Sequence, residues 1–220
     1  MIIDFFGSGI PKRSQKERIA ILESVDSDSA ATDDYCRFGY DYFDNPDLGI
    51  GYGGYSYDGR FKVAATRIAE HYGLKKGDRI LEVGCAKGYV LVEFKRLGFD
   101  VYGIDTSQYA VSCAHPEVSD KIKVGNAEKL PFPDNFFAFV FAKDMLPHVP
   151  ENKIRAVIAE FIRVSTGKVF FEIGCGETKE ELRRMKAWDP THQCIHPPQW
   201  WDRLFAEYDV ECDRHYKILL

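Results

Sequence analysis

Leu81–Tyr89 reads LEVGCAKGY, beginning as a buried strand and ending as a glycine-rich turn. Arg79–Gly84 has strand character, and Tyr89–Leu97 has the apolar spacing of a helix that Gly98 ends. A dinucleotide loop needs G-x-G-x-x-G so that pyrophosphate can approach the backbone. Counted from Gly84, that frame meets Ala86 and Tyr89 instead of glycine. The phosphate loop G-x-x-x-x-G-K-[ST] is also absent from the chain.

Outward from this loop the pattern alternates. Phe61–Tyr72 is expected as a helix, followed by a strand at VYGID, a helix over Ser107–Ala114 and a short strand over Lys121–Val124. Phe136–Ala142 reads as a buried strand, Lys153–Arg163 as a helix and Lys168–Ile173 as another strand. Such alternation predicts a doubly wound, mostly parallel α/β sheet of about six to seven strands, with helices on both faces. WDPTHQCIHPP is turn-rich, Gln199–Tyr208 reads as helical, and Val210–Leu220 has room for one or two short strands.

Before residue 61 the chain differs. Ser14–Glu23 is expected as a short amphipathic helix, and VDSDSAATDD as an acidic connector. Tyr35–Arg60 carries six of the twelve tyrosines among glycines and aspartates, without sustained periodicity. The expected organisation is an arm or lid over 1–60 packing on a domain over 61–220.

The 220 residues, 45% of them hydrophobic, suit one domain with a sizeable core. A net charge of -5 argues against nucleic-acid or anionic-membrane partners, and the basic run Lys12–Arg18, interrupted by Glu17, reads as a solvated helix face. Cys36, Cys85, Cys113, Cys175, Cys194 and Cys212 form no C-x-x-C pair and read as reduced thiols of a cytoplasmic protein. MIIDFF lacks the flanks of a signal peptide, and no apolar run is long enough to span a bilayer. Oligomeric state is not legible.

ILEVGCAKG, an acidic residue in VYGIDTS, and GNAEKLPFPDNFFAFVFAKDMLPHV over Gly125–Val149 together resemble class I S-adenosylmethionine-dependent methyltransferases. The resemblance covers about half the chain and implies a Rossmann-like fold with S-adenosylmethionine as cofactor. Ala86 departs from the family's usual E-x-G-x-G-x-G, which a cofactor without pyrophosphate tolerates. The resemblance implies that Glu82 helps fix the methionine portion and that Gly84 passes beneath it. Asp105 would accept from the ribose hydroxyls, Thr106 would flank the adenine, and Asn126 and the Ala127 amide would meet its edge. Cys85, Gly88, Glu128, Lys143 and Leu146 complete the implied cofactor positions. Each residue also has a plainer use: Gly84 and Gly88 suit a tight turn, Asp105 a helix cap and Asn126 a turn.

A sulfonium is already a strong electrophile, so the protein's tasks are alignment, exclusion of water and, for an alcohol acceptor, a general base. Asp144 and His148 follow the fourth strand and come near the methyl group in this architecture. KDML there argues against the N-P-P-Y type motif of base methylation. Asp189, Thr191, His192 and His196 crowd Trp188–Trp201, with His192 the favoured base and no metal expected, since His-x-Cys-x-His is not a familiar zinc spacing. GYGGYSYDGR and D-P-T-H followed by W-W resemble stretches of small methyltransferases from surface-polysaccharide clusters. Tyr52, Tyr55, Tyr57 and Arg60 would then form a lid, or alternatively pack an arm onto the sheet. The expected acceptor is a hydroxyl of a sugar, nucleotide-linked sugar or similar polar metabolite. A small amine is the alternative, and a cofactor-binding regulator or scaffold without turnover is the non-enzyme alternative.

Overall fold

The computed structural model describes residues 1–7, 31–208 and 212–219. The expected helix over Ser14–Glu23 and the basic run lie outside the described residues. Within them, α1 (Asp33–Cys36), α2 (Tyr40–Phe43) and α3 (Lys62–His71) lead into β1 (Arg79–Val83), α4 (Tyr89–Leu97), β2 (Asp100–Asp105) and α5 (Gln108–Ser112). There follow β3 (Ile122–Val124), β4 (Phe139–Lys143), α6 (Ile154–Val164), β5 (Val169–Cys175), α7 (Lys179–Trp188), α8 (Pro198–Phe205) and β6 (Cys212–Ile218).

The six strands form one sheet in the order β3-β2-β1-β4-β5-β6, every pair parallel. Strand order reverses between β1 and β4, so a crevice opens beyond their carboxyl ends. The alternation of side chains divides the core. Leu81, Val83, Val140, Ala142 and Phe171 pack with α6 and α8 on one face. Ile80, Phe139, Phe141 and Phe170 pack with α3 and α4 on the other. All seven residues of β5 are buried, as a strand covered on both faces must be.

Several boundaries differ from expectation for local reasons. The fourth strand starts at Phe139 because its ladder with β1 begins at Ile80↔Phe139, while Phe137 makes only an isolated bridge to Ser165. Helix α5 is shorter than expected, with Ser107 as its N-cap accepting from the Ala110 amide. Helix α7 has no counterpart among the expected elements. Its surface is largely charged and buries only Met185, but Thr178 and Glu181 make a capping box that marks its start. The first seven residues pack along the sheet: Ile2 bridges Arg214 on β6, and Phe5 packs against Phe170 at 5.1 Å.

Candidate active site

The β1–α4 loop turns on three left-handed residues, Gly84 (φ 77°), Ala86 (φ 48°) and Gly88 (φ 77°). A Cβ at Gly84 would meet the Met145 side chain at 2.6 Å, and one at Gly88 would strike Ile122 at 2.3 Å. Gly88 therefore brings α4 close to the sheet and lies outside the cleft lining. Ala86 holds a conformation that costs an L-residue about 1–2 kcal/mol, more than glycine's extra freedom in the unfolded chain, about 0.4–1 kcal/mol. Ala86→Gly should therefore raise stability by about 0.5 kcal/mol in denaturant titration; a loss of 1 kcal/mol or more would contradict the strain.

A cleft of about 260 Å³ is lined by Gly84, Ala86, Asp105, Thr106, Asn126, Lys143 and His148 among others. Asp105 holds the loop from β2, one oxygen accepting from the Ala86 amide (2.6 Å) and the other from the Ser107 amide (2.8 Å). Burial pushes its carboxyl above the usual range, against the pull of these amides. Each oxygen retains a lone pair for a further donor. Glu82 is 3% exposed, and its Oε2 has no hydrogen-bond partner among the described residues. Burial pushes Glu82 well above the ordinary carboxylate range, Lys143 opposing and Asp105 adding to the shift. Asn126 closes a turn on Glu128, accepting its amide at 2.9 Å, and Glu128 is paired with Lys153. Ala127 and Glu128 also line the cleft.

The arm covers this cleft with Phe38, Tyr42, Phe43 and Tyr52, of which only Tyr52 was singled out from sequence. It has its own small core of Tyr35, Tyr42, Phe43 and Ile50 against Ala110 of α5. The clamp is Lys87 from the glycine loop itself, whose ammonium donates to both oxygens of Asp44 (2.8 and 2.6 Å) and to the Tyr55 carbonyl (2.9 Å). Asp44 also accepts from Tyr109 at 2.6 Å. With the two side chains only 7% and 22% exposed, Lys87→Met leaves a largely buried carboxylate without its cation. The expected loss is about 3 kcal/mol, read as a lower midpoint in urea; an unchanged midpoint would show that the arm is held by its aromatic contacts alone.

Beyond Lys143 a second chamber of about 130 Å³ adjoins the cleft and shares Tyr42, Tyr52, Lys143, Asp144 and His148 with it. The loop after α7 is laid on the turn after β4 by the Gln193 and Cys194 amides, which both donate to the Pro147 carbonyl (2.8 and 3.0 Å). That docking brings together residues far apart in sequence. The Thr191 hydroxyl donates to Asp189 Oδ1 at 2.7 Å and lies 2.8 Å from His148 Nδ1. Having spent its one proton on Asp189, Thr191 can only accept from His148, so Nδ1 carries a proton and, in the neutral ring, Nε2 carries the lone pair. His192 Nδ1 lies 2.8 Å from the Met185 carbonyl and must donate to it. Burial holds His192 down at about 4, with nearby His148 adding to the effect, so it is neutral and a weak base. Burial works to raise Asp144, but Lys143 and Lys217 outweigh it and hold that carboxyl well below its usual range. Its contacts, 2.8 Å to Lys143 and 2.7 Å to Lys217, suit a fixed charge rather than a proton acceptor.

Other expected positions lie apart from the cleft. Leu146 is fully buried in the core, and Cys85 is buried beneath the loop with its thiol pushed up by burial. Tyr55 packs between Tyr52 and Tyr89 as tilted rings, each centroid at 4.7 Å, while Tyr57 meets Glu93 and Arg96 on α4. Arg60 pairs with Asp58, and His196 stacks on Trp200 at 4.0 Å and bonds Glu151. His148, Asp189 and His192 can each bring a ligand atom within 4.8 Å of the others, but Asp189 already accepts four protein hydrogen bonds.

The fold and crevice have counterparts. Residues 81–171 match the methyltransferase domain family. The match runs from β1 into β5 and takes in the glycine loop, Asp105, Asn126 and His148. A sterol 24-C-methyltransferase from Gibberella zeae is 32% identical over 59% of this chain and 32% of its own length. An uncharacterized methyltransferase from Schizosaccharomyces pombe is 34% identical over 64% of this chain and 51% of its own. An O-methyltransferase from Aspergillus nomiae is 28% identical over 52% and 58%. The chain thus spans about a third to three-fifths of these curated relatives. Among solved structures, the PH0226 protein from Pyrococcus horikoshii superposes with a TM-score of 0.56 at 20% identity, over 80% of this chain and 90% of that one. The YcgJ protein from Bacillus subtilis gives 0.55 at 19%, over 65% and 66%.

The family matched over residues 81–171 brings S-adenosylmethionine as the cofactor. The residues fit it. Asp105 offers two acceptor oxygens, the absent Cβ of Gly84 leaves the loop open beside Met145, and Glu82 Oε2 is a buried acceptor awaiting a donor such as an ammonium or a bridging water. Among the described residues, no helix is long and apolar enough to cross a membrane.

Proposed function

We propose that the protein transfers a methyl group from S-adenosylmethionine to a hydroxyl of a small polar acceptor, a sugar or nucleotide-linked sugar being the favoured class. When bound, the cofactor supplies an electrophilic methyl. The chain's own residues supply the rest: Asp105, Gly84 and Glu82 hold and orient, the arm excludes water, and His148 Nε2 takes the acceptor's proton. The observation that carries this reading is the hydrogen-bond chain from Asp189 through Thr191 to His148, which leaves the Nε2 side of a ring lining both chambers without a hydrogen-bond partner among the described residues. A base of this kind helps an alcohol far more than it helps a neutral amine, which already has its lone pair.

The acceptor chamber supports a polar substrate. Lys143, Asp144, Asp189 and Lys217 line it beside Tyr52 and Trp188, and a sterol would have to desolvate these charges without replacing their partners. Charged groups around an aromatic wall suit a molecule bearing several hydroxyls. Each domain role ascribed here, including the arm as lid, belongs to this proposal. The test is methyl transfer from isotopically labelled S-adenosylmethionine across a panel of nucleotide-linked sugars, free glycosides and small amines. O-methylated sugar products are expected. Exclusive methylation of amines would replace the acceptor class, and tight cofactor binding with no product across the panel would favour a binding protein.

A further inference from the structure

We propose that Glu151, Cys194 and His196 form a zinc site that ties the loop after α7 to the turn after β4. In the sequence, His192-x-Cys194-x-His196 alternates three metal-ligating residues, and the fold separates them. His192 lines the acceptor chamber with its Nδ1 on the Met185 carbonyl (2.8 Å). Cys194 and His196 instead meet Glu151, and each of these three can place a ligand atom within 4.8 Å of the other two. Cys194 is fully buried, and its thiol has no hydrogen-bond partner among the described residues. His196 is held in plane by Trp200, stacked at 4.0 Å with 11° between the rings, and its Nε2 lies 2.8 Å from Glu151 Oε2. The backbone between them is braced, since the Gln193 and Cys194 amides both donate to the Pro147 carbonyl and the Gln193 side chain donates to the His148 carbonyl at 3.0 Å.

The donor set suits zinc. Thiolate and imidazole select it over magnesium or calcium, and thiolate plus carboxylate bring two negative charges to a divalent ion, so the partly buried site ends neutral. Bonds of about 2.0–2.3 Å put neighbouring ligands of a tetrahedral zinc roughly 3.3–3.7 Å apart, which asks for side-chain movements of about 1 Å. Glu151, its side chain 55% exposed, is free to make them. Binding breaks the Cys194 S–H bond and releases the proton to water as the S–Zn bond forms. The hydrogen bond between His196 and Glu151 gives way to two metal bonds, one nitrogen of the neutral ring offering its lone pair while the other keeps the proton. Water takes the fourth position on the exposed Glu151 side. The other two convergent groups among the described residues are obstructed: Asp189 is saturated by four donors, and the Lys143 ammonium lies 3.2 Å from Glu172 in the group of Asp4, Glu172 and His215. Glu151 and Cys194 each lie three positions beyond His148 and Thr191, so a metal here fastens together the two segments whose side chains meet at the His148–Thr191 contact.

The test needs neither cofactor nor acceptor. Cobalt(II) is the probe, because it enters zinc sites and a thiolate bound to it gives a charge-transfer absorption. The full chain, stripped of metal with a chelator, should bind a single Co²⁺ at micromolar concentration with that band, and stoichiometric Zn²⁺ should abolish it. Cys194→Ala should lose the band, whereas a chain carrying both Cys36→Ser and Cys113→Ser, which removes the exposed thiols, should keep it. His196→Gln should weaken Zn²⁺ binding by about a hundredfold or more, since loss of a group that only supports a ligand already costs about 10–100-fold. That position is partly exposed, so it decides the matter if Cys194→Ala does not fold. No thiolate band in wild type, a band that survives Cys194→Ala, or zinc affinity in His196→Gln within threefold of wild type overturns the site. A band lost with Cys36 and Cys113 overturns it as well, the exposed thiols having captured the metal.

Discussion

Asp105→Ala should lower affinity for S-adenosylhomocysteine by a hundredfold or more in calorimetry. Hydrogen bonds to a charged acceptor contribute about 1.5–3 kcal/mol each, so losing two costs about 3–6 kcal/mol. Part of that loss comes through the loop, since Asp105 also accepts the Ala86 and Ser107 amides. Asp105→Asn separates the two: it keeps one oxygen and the side-chain volume, and should lose about tenfold if charge at the ribose is the larger effect. Affinity within threefold of wild type in the alanine variant would remove Asp105 from the cofactor site.

His148→Ala should lower kcat for the acceptor identified in the panel by about 10²–10⁴, the range expected when a general base is removed. Affinity for S-adenosylhomocysteine should change little, because the cofactor contacts are assigned to Asp105, Gly84 and Glu82 and the ring to the acceptor. His192→Ala should cost less than tenfold. Its imidazole is held at about 4 by burial and His148, and its Nδ1 is committed to the Met185 carbonyl. The opposite ranking, with His192 indispensable and His148 dispensable, would place the base on the loop after α7 and dissolve the relay through Thr191.

The glycine loop and the alternating strands and helices were legible because each has a local signature. Asp105 and Asn126 were marked by the resemblance to class I methyltransferases, and both line the cleft. What did not show was long-range docking. Lys87 looks like any loop lysine until Asp44, forty-three positions away, is placed beside it. Tyr42 and Tyr35 were passed over for the glycine-flanked tyrosines after them, since four-residue helices are too short to display a period. The same limit explains Tyr57 and Arg60, whose composition suited a lid but whose partners lie on α4 and at Asp58. Asp189 and Thr191 were noticed as a polar cluster, but their relation to His148 depends on backbone bonds to Pro147 that no spacing predicts. Ala86 is the instructive case. Its left-handed φ of 48° shows the loop keeping a glycine-like shape without the glycine, so the departure from the usual motif is a strain rather than a different turn.

The most direct test of the whole account is a crystal structure with S-adenosylhomocysteine bound. The account predicts ribose hydroxyls on Asp105, the amino group near Glu82 and Gly84, and the sulfur facing the chamber where His148 Nε2 stands. A ligand seated elsewhere, or one whose sulfur faces away from His148, would contradict it.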